Sequence, residues 1–88
     1  MVKQTIIITD QDGLHARPAS QLSKKASQFP GDISLSYQDR SINLKSILAV
    51  MSLAVPQNAE VIISVDGQNE ADTLKLLIEH MKQLKLSS

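Results

Sequence analysis

Four short runs of this chain place apolar side chains on one face, and stretches with a different period separate them. Every second side chain of a strand points the same way, whereas a helix repeats its face about every 3.6 residues, so the two patterns are not interchangeable. VKQTIII (2–8) is β-branched and puts Val2, Ile6 and Ile8 on one face. DISLSY (32–37) alternates with Ile33, Leu35 and Tyr37, and RSINL (40–44) with Ile42 and Leu44, around a short turn at Gln38-Asp39. EVIISV (60–65) repeats the pattern with Val61, Ile63 and Val65 and ends on the turn residues Asp66-Gly67. These are four expected strands, the middle two forming a hairpin.

Helical spacing fills the intervals. From Ala16 to Phe29 the apolar positions Ala19, Leu22, Ala26 and Phe29 form one stripe, Pro18 is tolerated in the first turn, and Pro30-Gly31 stops the helix. Ser46 to Leu53 reads as a short helix with Ile47, Val50, Met51 and Ala54 toward the core and Leu48 toward solvent. A last helix over 70–84 carries Leu74, Leu77, Ile78, Met81 and Leu84. The order is β-α-β-β-α-β-α. Strands with one apolar face need a single cover, so the expected fold is a two-layer α+β sandwich: a four-stranded antiparallel sheet with three helices on one face.

At 88 residues, 1–88 reads as a single domain. Lysine and arginine number 9 against 9 acidic residues, which gives no general attraction to nucleic acid or anionic membranes. One Tyr and one Phe are too few for a base-stacking platform. Cysteine is absent, which excludes disulfides and thiolate metal sites and suits a reducing, cytoplasmic compartment. The first ten residues lack a signal-peptide pattern, and no run approaches the ~20 apolar residues of a membrane span. Neither a metal nor a cofactor is expected.

The chemistry concentrates in GLHARP, 13–18, where a loop becomes a helix. If His15 is the N-cap, the N–H groups of Ala16 and Arg17 have no partner within the helix. With the helix dipole they form a natural place for phosphate oxygens. Arg17 adds a planar cation that can grip an oxyanion with two hydrogen bonds, and Gly13 lets the preceding backbone turn. The helix end and the guanidinium both disfavour a second positive charge, so a neutral, nucleophilic imidazole is expected. Such a site suits reversible acceptance of a phosphoryl group. His80 has none of these neighbours and reads as a surface residue.

GLHARPA (13–19), followed by KSILAVMSLA (45–54), resembles the HPr/Crh family of the bacterial phosphoenolpyruvate-dependent sugar phosphotransferase system along the whole chain. The resemblance implies an open-faced β-sandwich and a carrier rather than an autonomous enzyme. It further implies that His15 takes phosphate from phospho-Enzyme I at Nδ1 and passes it to IIA domains of sugar permeases, with Arg17 binding the phosphate. Ser46 matches the family's regulatory serine, the substrate of HPr kinase/phosphorylase, through which a catabolite control repressor would be engaged. Its position before 47–53 also suits a simple helix cap, and the two roles are compatible. Ile47, Leu48, Met51, Ser20 and Lys24 are the expected partner contacts. Many Gram-positive members have glycine where this chain has Ala49 and Ala54, and Pro56 lies in a loop that usually contains glycine. Ala54 is similar to Crh, a regulatory paralogue without the active histidine, which leaves a Crh-like regulatory module acting through Ser46 as the alternative.

Overall fold

The computed structural model describes residues 1–87. Its elements are β1 (Val2–Ile7), α1 (Ala16–Ala26), β2 (Asp32–Tyr37), β3 (Arg40–Asn43), α2 (Ile47–Ser52), β4 (Glu60–Asp66) and α3 (Glu70–Gln83). The strands form one antiparallel sheet in the order β1-β4-β2-β3. Chain order and sheet order differ because β4 enters between β1 and the β2–β3 hairpin.

One face of the sheet supplies Ile6, Ile33, Leu35, Val61, Ile63 and Val65 to the core. The helices cover it with Ala19, Leu22 and Ala26 of α1, Val50 of α2, and Leu74, Leu77, Ile78 and Met81 of α3. The opposite face is exposed or half-buried and carries Thr5, Ser34, Ser36, Ser41 and Ser64, with Ile62 among them. A face of short hydroxyl side chains satisfies itself with water, so the fold needs only two layers.

Three expectations change. The first helix ends at Ala26 rather than Phe29, because Gln28 N–H bonds Lys25 O and Phe29 N–H bonds Ala26 O in tightened turns. Lys45 Nζ then fastens that turn by donating to Phe29 O at 2.8 Å and Gly31 O at 2.9 Å. The first strand stops at Ile7, and Ile8 instead makes an isolated bridge to Ser87.

The largest change concerns α2. Val50 and Leu53 face the core, whereas Ile47 and Met51 are exposed at 43% and 39%, and Ala54 is exposed too. The stripe is rotated by one position from the sequence expectation. A six-residue helix presents little more than one turn and a half, so 47/50/51/54 and 46/50/53 fit its sequence equally well. Packing against α1 and β3 buries Val50 and Leu53, and Arg40 ties down the far end: its Nη1 donates to Ser52 O at 2.9 Å and its Nη2 to Ser52 Oγ at 3.1 Å.

Candidate functional site

His15 occupies the N-cap position of α1 with extended backbone (φ −86°, ψ −177°), and the first helical bond runs from Ala19 N–H to His15 O at 3.0 Å. The N–H groups of Ala16 and Arg17 precede that bond, and Pro18 has none. His15 caps with its backbone only: its ring makes no bond to the helix N–H groups. Ordinary N-cap side chains use their oxygen for this purpose, so here the ring leaves the helix donors without a side-chain partner. The side chain of His15 is 40% exposed, Ala16 and Arg17 are exposed, and Arg17 forms no ion pair among the described residues.

The loop that delivers His15 is fixed from below. Gly13 adopts φ +66°, and a Cβ there would lie 2.2 Å from Val55 O and 2.9 Å from Pro56 Cα. Leu14 is buried and donates its N–H to the same Val55 carbonyl at 2.9 Å. The segment after α2 is therefore the seat of the loop before α1. Ala54, next to that seat, holds φ +52°. A left-handed residue just past a helix favours glycine, which gives the family's glycine at this position a physical reason.

Sequence reasoning missed Asp10. Its Oδ2 lies 3.5 Å from His15 Nε2, with side-chain exposures of 22% and 40%. Its Oδ1 accepts the Asp12 N–H at 2.9 Å. The expectation for His15 counted only positive neighbours, and the fold adds a negative one. The signal was DQDG immediately before Leu14, a turn sequence that brings an acidic side chain back toward the next residues of the chain. Asp10, Asp12 and His15 can each offer one ligand atom, all within 4.8 Å of one another, although no metal ligand set was expected from the sequence.

Of the other expected residues, Ser20 and Lys24 are exposed on α1, in the same row as Ala16 at spacings of four. Ser46 is the half-buried N-cap of α2, and its Oγ accepts the Ala49 N–H at 3.2 Å. Leu48 is 84% exposed and, with Ile47 and Met51, forms an apolar patch on α2, which packs beside α1. His80 is half-buried, in a groove of about 270 Å³ between α1 and α3 lined also by Gln21, Lys24, Lys25, Gln28 and Leu84.

The protein-family model described as the PTS HPr component phosphorylation site matches residues 2–83. The chain belongs to the HPr family. It is similar to a histidine-containing phosphocarrier protein of a mycoplasma, with a TM-score of 0.96 and 38% identity over 99% of each chain. An HPr from Thermoanaerobacter tengcongensis matches at a TM-score of 0.89 and 36% identity, over 98% of this chain and 96% of that one. Crh, the catabolite repression protein of Bacillus subtilis, matches at 34% identity over 94% and 95%, with a TM-score of 0.73 in a structure described as a swapped dimer. The open-faced sandwich expected from the resemblance is thus the fold of this chain, and the family is that of the phosphotransferase-system phosphocarriers. No helix among the described residues is long and apolar enough to cross a membrane.

Proposed function

We propose that this chain carries phosphoryl groups on His15, taking them from phospho-Enzyme I and giving them to IIA domains of sugar permeases in the cytoplasm. The observation that carries this reading is the N-cap histidine whose ring leaves the helix N–H groups of Ala16 and Arg17 free. The Nδ1 lone pair attacks phosphorus, and the bond to the donor breaks with its electrons leaving on the donor. The transferred oxygens are then held by the two N–H groups and the Arg17 guanidinium. Because the ring is exposed, a partner active site can reach it from outside.

Ile47, Leu48 and Met51, flanked by Ser20 and Lys24, provide the docking surface in this proposal. Ser46 is the regulatory site, modified by HPr kinase/phosphorylase, and its phosphorylated form would engage a catabolite control repressor. A phosphate there would sit at a helix start, where negative charge is favoured. The test is mass spectrometry after incubation with Enzyme I and phosphoenolpyruvate. One phosphoryl group, acid-labile and base-stable, is expected, and it should vanish in His15→Ala. Persistence of the acid-labile group in that variant would remove His15 from the mechanism.

The likeness to Crh supports a second reading, a regulatory module that works through Ser46 alone. Under that reading the wild type gains phosphate from the ATP-dependent kinase and none from Enzyme I.

A further inference from the structure

Asp10 Oδ2 lies 3.5 Å from His15 Nε2, and the phosphoryl chemistry proposed above leaves this carboxylate unused. We propose that Asp10 is the positioning residue of the site: it holds the His15 ring with the Nε2–H directed at its carboxylate, so that the lone pair is on Nδ1. This rests on His15 being the phosphoryl acceptor.

Asp10 is anchored before it meets the histidine. Thr9 N–H donates to Leu86 O at 2.7 Å, and Asp10 O accepts the Gly13 N–H at 2.9 Å, which closes the turn. With Oδ1 occupied by the Asp12 N–H, Oδ2 is the oxygen available to the ring. The 3.5 Å separation is slightly longer than a formed hydrogen bond, and a small rotation of a 40% exposed ring closes it. Asp12 makes no ion pair among the described residues, so the contact belongs to Asp10.

A neutral imidazole carries one N–H, and the partner of one nitrogen decides which nitrogen keeps its lone pair. A carboxylate at Nε2 keeps the proton there. Nδ1 then keeps the lone pair and is the nucleophile. As the phosphorus–nitrogen bond forms, the proton stays on Nε2 and the ring acquires a positive charge. That charge develops in front of Asp10, so the carboxylate interacts more strongly with the transition state than with the resting ring. On return transfer the bond electrons go back to Nδ1 and the charge disappears. Asp10 touches neither phosphorus nor its oxygens, which is why it positions rather than reacts.

The experiment compares wild type with Asp10→Ala, Asp10→Ser and Asp12→Asn. Ser keeps a side-chain oxygen that can accept the Asp12 N–H, but it is too short to serve His15, so it separates turn stability from ring positioning. Long-range ¹H–¹⁵N NMR at a pH where the ring is neutral should show the Nε2–H form in wild type and Asp12→Asn. Both Asp10 variants should shift toward the mixture of a free imidazole. With Enzyme I as donor, kcat should fall on the order of 10-fold in both Asp10 variants, the low end of what losing the carboxylate behind a metal-bound histidine costs, with KM little changed. An unchanged tautomer, or a raised KM at constant kcat, would overturn the role. The tautomer measurement needs no donor, so it judges Asp10 even if His15 is never phosphorylated, an outcome that would count only against the carrier proposal.

Discussion

Replacing Gly13 by alanine tests whether the seat under the histidine loop is as tight as the geometry indicates. The backbone there has φ +66°, which an L-residue occupies at a cost of about 1–2 kcal/mol. The added Cβ would stand 2.2 Å from Val55 O, far inside van der Waals contact, so the Val55–Pro56 backbone must withdraw. Withdrawal stretches the 2.9 Å bond from Leu14 N–H to that same carbonyl, which contributes roughly 0.5–1.5 kcal/mol. The expected loss is about 2–3 kcal/mol, a large part of the ~5–15 kcal/mol available to a small domain. Tm should fall by roughly 10–20 °C for a chain of this size. Urea unfolding, followed by far-UV circular dichroism with the m value checked for constancy, gives the free energy. His15 lies two residues downstream, so phosphorylation by Enzyme I should slow in the fraction that remains folded. Ala54→Gly serves as the opposite control, since glycine relieves the φ +52° strain, and it should stabilise by about 0.5–1 kcal/mol. An unfolding free energy for Gly13→Ala within about 0.5 kcal/mol of wild type would show that the loop is not seated as described.

The rotated face of α2 separates stability from docking: Val50→Ala should cost about 2 kcal/mol because Val50 is 1% exposed, whereas Leu48→Ala should change urea stability by less than about 0.5 kcal/mol and act instead on KM for Enzyme I. Ser46→Asp should raise that KM more than it lowers kcat, and true phosphorylation, with its larger charge, should raise it further; equal KM values for all three forms would leave Ser46 a helix cap only. Acid stability should depend partly on Glu70, whose carboxyl is held below its ordinary value of 4.5 chiefly by the Gly67 N–H and then by the Met1 ammonium. A depressed carboxyl contributes stability that is present above its ordinary value and lost as pH falls through the lower folded one. The stability difference between wild type and Glu70→Gln should therefore be largest near neutrality and shrink below about pH 4, and a pH-independent difference would rule out the ionic part of the contact.

Periodicity was enough for the architecture. Alternation in 32–37 and 60–65 and the stripe at 74, 77, 78, 81 and 84 are local patterns dictated by burial of one face, and each residue so chosen is buried in the fold except Tyr37 and Leu84, which are half-buried. GLHARP was legible for the same reason, since an N-cap and the two donors after it are neighbours in sequence. Strand order was never derived from sequence, because it records which edge the chain returns to, and β4 enters between strands far from it along the chain. The face of α2 was lost because six residues hold too few repeats to fix a phase, and the packing against α1 and β3 that selects the face comes from other parts of the chain. Asp10 was overlooked because it lies outside the GLHARP motif, which begins only at Gly13. What brings the carboxylate within 3.5 Å of the ring is a turn whose anchor, Leu86, lies at the opposite end of the chain. Local periods determine which residues are buried, and only long-range contacts decide which charges meet.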